Sequence, residues 1–462
     1  MTADPATTGL WDTLGLPADA LDDLTLTGAD PVLPSSFALG TAARAAVAAS
    51  ALAASSLHRQ RGGARQGVAV DMAHAAADFH SEHWMTANGV ARGDGWDRIA
   101  GLHRCGDGRW VRLHTNFPHH RAGVLALLGC DYDRAAVTAA LQSWTAIGFE
   151  DAAAAAGICV TAARSFAEWD AHPNGQAVHG EPLIGFERLD HAPPRPLPPA
   201  ADRPLAGLRV LDLTRVIAGP VCGRTLAAHG AEVLRLTAPH LFNPEPLEID
   251  TSRGKRSACL DLREAAAREI LAGLIGGADV FVQGYRQGAL SGFGFAPAQA
   301  AALRPGLIYV SLCAYGFTGP WAGRRGFDSL TQTASGFNLA EAEAAHEATP
   351  RALPVQALDH ASGYLLAAGA LAGLAKRATE GGSWHVRVSL ARTGQWIRGL
   401  GRINGGLGAP APTRAAVAGF LEETASGYGP LVAVRHPGRL TATPPHWALP
   451  AMPPGTHPPR WA

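Results

Sequence analysis

One carboxylate stands at the head of an otherwise apolar stretch. Residues 353–375 read LPVQALDHASGYLLAAGALAGLA, with Asp359 near the start and His360 beside it. Ala, Leu and Tyr after the acid favour helix, and Asp is a good N-cap, a role worth about 1 kcal/mol that needs no chemistry. A second copy of the pattern weighs against that reading. Residues 35–90 parallel 355–400 helix for helix, break for break and strand for strand. With the Gly-Gly pairs 62–63 and 381–382 superimposed, Gly40 falls opposite Asp359. Only the second copy carries the acid, which favours a specific role for it.

The other clusters point less clearly to chemistry. His114, His119 and His120 are close in sequence, but a metal site needs three or four ligands of defined geometry, and the nearest acids, Asp107 and Asp131, fall in other elements. No metal is expected. The six cysteines, at 105, 130, 159, 222, 259 and 313, show no C-x-x-C spacing and read as reduced core thiols of a cytoplasmic protein.

The elements that must position these residues divide at a proline-rich linker, 192–204. Before it lie a helical segment, 1–90, and a smaller α+β domain, 91–191, in which a hairpin is expected to turn at Gly106-Asp107-Gly108. Beyond it, in 205–462, apolar runs such as LRVLDLTRV, AEVLRL, DVFVQGY and LIYVSLCAY alternate with helical stretches. That alternation predicts an α/β domain with an open parallel sheet and a ligand at the strands' carboxyl ends. No G-x-G-x-x-G follows the first strand, so a dinucleotide site is not expected.

The chain has 462 residues, is 47% hydrophobic and 17% charged, and has a formal net charge of zero. This predicts a globular protein that binds neither nucleic acid nor an anionic membrane surface. The amino terminus lacks a basic region followed by an apolar run, and the Ala-rich stretch 41–57 is too short and polar to span a bilayer. Lys255 and Lys376 are the only lysines among many arginines, a bias that lowers the information in any one arginine.

Five ordered blocks resemble the family III CoA-transferases. They are LAGLRVLDLTRVIAGPVCGRTLAAHGAEVLRL (205–236), SRGKRSACLDLR (252–263), ADVFVQGYRQGALSGFGF (278–295), RPGLIYVSLCAYGFTGPWAGRRGFDSLTQTASG (304–336) and VQALDHASGYLLAAGALAGL (355–374). The resemblance implies a Rossmann-like sheet domain with helices on both faces plus the smaller α+β domain. It implies CoA transfer between carboxylic acids, with Asp359, Gly363 four residues on, as the acyl-carrying nucleophile. The substrates are then an acyl-CoA thioester and a free carboxylic acid, with no prosthetic group. CoA is expected along Arg215, Val216 and Ile217, with Arg253, Lys255 and Arg286 for its phosphates and Tyr285 over its adenine.

The sequence departs from the family in Gln283-Gly284-Tyr285-Arg286-Gln287-Gly288, where relatives read E-N-F-R-P-G, and in Thr237, where they end the second strand near Glu. Stretches 96–130 and 165–178 resemble parts that relatives carry downstream, so the chain reads as duplicated and permuted, working as a homodimer or an intrachain pseudo-dimer. Two other activities fit the resemblance: an α-methylacyl-CoA racemase and a non-catalytic partner subunit. Related racemases place a His before the acid equivalent to Asp328; here it is Phe327, which removes the base and leaves Asp328 to cap its own helix.

Overall fold

The computed structural model describes residues 4–91 and 95–462. The first three residues of the chain, and Gly93 and Asp94 ahead of the predicted hairpin, lie outside them.

Seven strands form the main sheet: β1 (Gly185–Arg188), β2 (Arg209–Leu213), β3 (Glu232–Thr237), β4 (Lys255–Cys259), β5 (Val280–Gln283), β6 (Ile308–Cys313) and β7 (Trp384–Ser389). Their order is β4-β3-β2-β5-β6-β7-β1. All neighbours run parallel except β1 against β7. The strand sequences are apolar at successive positions because both faces are covered. Val210, Val280 and Val310 enter one core with Val221, Tyr364 and Leu365; Leu211, Phe281 and Tyr309 enter another with Leu271, Ile275 and Ala300. Helices therefore lie on both faces of a doubly wound sheet. The strand order reverses between β2 and β5, and the crevice at their carboxyl ends is where such sheets bind ligands.

Five helices bear on that crevice: α1 (Leu39–Gln60), α2 (Ala218–Ala228), α3 (Asp328–Ala334), α4 (Ala357–Glu380) and α5 (Leu390–Gly399). α4 packs against α2 and α1. Gly363 permits the approach to α2, since a Cβ there would lie 2.7 Å from the Ala218 carbonyl oxygen and from the Val221 side chain. Among the described residues no helix is long and apolar enough to cross a membrane.

The predicted domain boundaries need correction. β1 lies inside the stretch assigned to the small domain, yet it is the antiparallel edge of the main sheet. The small unit has its own sheet of Gly101–Arg104, Trp110–Leu113 and Val160–Ala162, and its first two strands form the hairpin turning through Gly106–Gly108. The stretch 205–462 is not self-contained either: Gly438–Leu440 pairs with Val68–Asp71 of the amino-terminal segment. The linker is not a loose tether. Arg61, buried, donates to the carbonyls of Pro198, Pro199, Pro204 and Ala206. The carboxyl-terminal segment returns to the sheet domain, with Trp461 Nε1 donating to Leu274 O at 3.2 Å.

The two similar segments correspond in detail. Leu24–Thr27, Val68–Asp71 and Gly438–Leu440 form a three-stranded sheet, parallel then antiparallel, as β6, β7 and β1 do. Helices α1 and α4 begin on N-caps of nearly equal conformation, Ala38 (φ −75°, ψ 59°) and Gln356 (φ −78°, ψ 65°). In the first segment Asp30 accepts from the backbone N–H of Gly40 and of Thr41, at 3.0 and 2.8 Å. In the second, Asp328 accepts from the N–H of Asp359 at 2.8 Å and from that of Leu358. The residue in the place of Asp359 is thus Thr41, not Gly40. The glycine pairs mislead because Gly381 directly caps α4, whereas Arg61 caps α1 before Gly62.

Replacing Gly363 by Ala should force α4 away from α2 and lower stability by about 1–3 kcal/mol. Thermal denaturation of the variant checks this, and an unchanged melting temperature counts against the tight contact.

Candidate active site

A cleft of about 360 Å³ opens at the carboxyl ends of β2, β5 and β6. The loop from Arg215 to Ala218 and the turn from Gly284 to Gln287 form part of its lining, and Asp359 lies in it as well. The small unit contributes Phe117, His119 and His120 to the wall, and the segment before α3 contributes Arg324, Arg325 and Phe327. Val216 has φ +74°, a left-handed conformation that a β-branched residue rarely adopts and that costs about 1–3 kcal/mol. This strain lies at the switch point, between β2 and α2.

Asp359 does not cap α4. The helix begins at Ala357, and Asp359 lies in its first turn, 7% exposed. Asp328 supplies the cap from the start of α3. That corrects the expectation that Asp328 caps its own helix, whose N-cap is Phe327 with no side-chain bond. The Asp359 carboxyl has no hydrogen-bond partner among the described residues. Burial raises its pKa well above the usual carboxylate range, and the negative charges of Asp328 and Glu82 add to the effect. Burial also lifts Asp328, to about 6, against the pull of its amide donors. Two carboxyls this close do not both ionise readily. Asp359, the one without donors, is the more strongly raised of the two. Glu82, from the amino-terminal segment, reaches His360 at 3.2 Å.

The structure brings most of the predicted CoA residues to Asp359. Arg215, Val216, Ile217, Tyr285 and Arg286 all line the same cleft. Arg286 is exposed and has no partner among the described residues. Arg215 is partly engaged, with Nε 3.1 Å from Asn243 Oδ1 and its guanidinium 5.2 Å from the Phe117 ring centre.

Lys255 and Arg253 are not in the cleft. Lys255 opens β4 at the amino end of the sheet, while the cleft lies at the carboxyl ends. Its Nζ is buried, 2.8 Å from Asp212 Oδ2 and 2.8 Å from Pro220 O. Arg253 is buried against Asp250 at 2.7 Å, Val434 O at 2.7 Å and the Trp447 ring. Neither is available to a phosphate.

Sequence reasoning missed two cleft cations, Arg324 and Arg325. Their only signal was adjacency between glycines, and the arginine-rich composition masked it. It also missed an apolar pocket of about 170 Å³ that shares Leu213, Leu241, Tyr285 and Ala289 with the cleft and has Leu260 and Arg263 on its border. His114 stacks on Phe327 at 3.7 Å, and burial pushes its pKa down to about 3. Among the described residues no group of three or more His, Cys, Asp or Glu side chains could hold a metal ion.

Lys255→Met leaves Asp212 buried without its cation and should destabilise the protein by about 3–5 kcal/mol in denaturant unfolding. Mild loss of stability with weaker CoA binding would instead return Lys255 to the site. Asp359 binds its proton more tightly folded than unfolded, so its contribution to stability falls as pH rises above the ordinary value of 3.8. Asp359→Asn cannot ionise. It should match the wild type near pH 4 and exceed it increasingly toward pH 8 in urea titrations, and an opposite trend refutes the assignment.

Similarity to known proteins agrees with this geometry. Residues 205–400 match the profile of CoA-transferase family III. An acetyl-coenzyme A transferase of Hypoxylon pulicicidum is 36% identical over 204 residues, covering 43% of this chain and 34% of the relative. An acyl-CoA transferase of Gibberella moniliformis is 31% identical over 307 residues, covering 61% and 53%. A succinate–glutarate CoA-transferase of Agrobacterium fabrum is 34% identical over 152 residues, covering 29% and 38%. The matches thus span a third to just over half of these relatives' lengths. Across residues 205–400 the chain is similar to CoA-transferase family III.

Proposed function

We propose that the protein moves CoA between two carboxylic acids, with Asp359 as the covalent carrier. One observation carries the reading: a carboxyl without a hydrogen-bond partner is held at a helix start inside the switch-point cleft, among Arg215, Arg286, Arg324 and Arg325. An incoming anion and the cleft cations set whether Asp359 is ionised.

In the first step the Asp359 carboxylate attacks the thioester carbonyl of the donor acyl-CoA. The C–S bond breaks, CoA leaves as thiolate, and a mixed anhydride remains. The thiolate then attacks the aspartyl carbonyl. The donor acid leaves as its carboxylate, and Asp359 holds CoA as a thioester. The acceptor carboxylate attacks this thioester and releases CoA thiolate again. Attack of the thiolate on the acceptor's carbonyl yields the new acyl-CoA and restores Asp359. The thioester energy is kept throughout, provided water stays out, and Asp359 is largely shielded from solvent. The α4 amino terminus favours negative charge at developing oxyanions.

In this reading CoA is a substrate, and its phosphates lie near the exposed Arg286 and the Arg324–Arg325 pair, each suited to phosphate oxygens. Its adenine enters the apolar pocket beside Tyr285. Packing of α1 on α4 supports an intrachain pseudo-dimer, in which the Asp359 site is live and the Thr41 position carries no nucleophile. Racemisation has less support, since Phe327 offers no base and stacks on His114.

Wild-type protein incubated with an acyl-CoA should gain one adduct per chain in intact-mass spectra, with hydroxylamine releasing it from the peptide holding Asp359. Asp359→Asn should form none and lose transfer by about 10⁴-fold or more. Exchange of label between acyl-CoA and free acid in that variant would end the proposal.

A further inference from the structure

One wall of the cleft is aromatic. Phe327 and Asp359 both line the cleft, and Asp328, the residue after Phe327, accepts the N–H of Asp359. The ring therefore stands beside the acid, partly open to the cleft. It stacks on His114 at 3.7 Å, with planes 4° apart, and on Phe117 at 5.5 Å. Phe117 meets Phe242 edge-on at 5.7 Å, and Phe242 is exposed next to Leu241 of the lining. A row of rings thus runs from Asp359 outward. Ile217, Ala218, Leu312, Ala314 and Leu390 add further apolar lining.

The cleft cations are engaged elsewhere. Arg286, Arg324 and Arg325 also border a side recess of about 110 Å³, with Gly157, Ile158 and Tyr315, that neither Asp359 nor Phe327 lines. In the transferase reading these three meet the CoA phosphates. Arg324 is 3.4 Å from Asp151, and Arg325 donates to the Gly157 carbonyl. Arg215 turns back on its own side of the cleft, donating to Asn243 and to the Phe242 carbonyl. His114 and His120 have no acid partner among the described residues, and burial pushes the pKa of each down to about 3. An acyl group against Phe327 therefore meets apolar surface and, among the described residues, no free cation. A second carboxylate there would lose its hydration without a partner, whereas methylenes or a ring gain by leaving water.

We propose that the acids exchanged are apolar monocarboxylic acids whose acyl groups pack on the Phe327 ring, and that dicarboxylic acids are poor substrates. The inference rests on the transferase reading and adds the substrate class. Phe327 is then the specificity-determining residue, with Phe117 and His114 holding its ring in place by stacking.

Matched acceptor acids and the full chain test this. Valerate and glutarate have the same carbon count and differ in carrying a terminal methyl or a second carboxylate. With acetyl-CoA or valeryl-CoA as donor, kcat/KM for valerate should exceed that for glutarate by about tenfold or more. Phe327→Ala should lower the ratio of kcat/KM for phenylacetate to that for acetate by about tenfold. That ratio does not depend on how much of the variant is folded. In saturation-transfer NMR of the wild type with CoA present, valerate and phenylacetate should bind and glutarate should not. Glutarate transferred or bound as well as valerate overturns the inference, and so does an unchanged phenylacetate-to-acetate ratio in Phe327→Ala. If no acid is transferred from either donor, the transferase reading fails, and the NMR comparison still decides whether the wall prefers an apolar acid.

Discussion

Asp328 accepts the backbone N–H of Asp359 at 2.8 Å, and that bond fixes two acids in one buried place. Much of the surrounding structure serves it. Gln332, one turn along α3, donates to the Asp328 carboxylate and accepts from the N–H of Leu353 at 3.0 Å. Asn338 closes the set on Gln332 at 3.3 Å. Asp328 is thereby tied to the segment that leads into α4, and the first turn of α4 cannot shift without breaking several buried bonds. A cap from the helix's own sequence would leave the neighbouring acid free to titrate alone. A cap from α3 couples the two carboxyls and raises the pKa of the one that faces the cleft.

The amino-terminal segment is built into this arrangement by charge. Arg224 of α2 is buried against Asp78 at 3.1 Å and Asp250 at 2.6 Å, and Ser81 and Tyr364 bond to the same acids. Arg253 joins through Asp250. Buried ion pairs give little net stability, but breaking one partner is costly, so they select one docking geometry over near alternatives. That geometry sets Glu82 against His360, beside Asp359.

Much of this was legible in the sequence. The apolar runs gave the strands, the Gly106-Asp107-Gly108 turn gave the hairpin, and the small-residue run after Asp359 gave α4. The failures have physical causes. Lys255 stood out as a rare lysine, yet rarity cannot distinguish a phosphate ligand from the buried partner of Asp212. The short strand β1 carries polar residues and lies ahead of the linker, and only its pairing with β7 reveals its sheet. The cap of α4 comes from Asp328, too distant in sequence for a local capping pattern to show. The glycine pairs aligned the two segments one residue out of phase, because helix ends vary more than the caps that start them.

The contacts from Asp78, Ser81 and Glu82 to Arg224, Tyr364 and His360 join segments of one continuous chain. Bringing them together is a unimolecular event whose entropy loss is that of closing a loop, and this grows only slowly with loop length. Dilution cannot separate these partners, so these contacts beside Asp359 persist at any protein concentration at which the chain is folded.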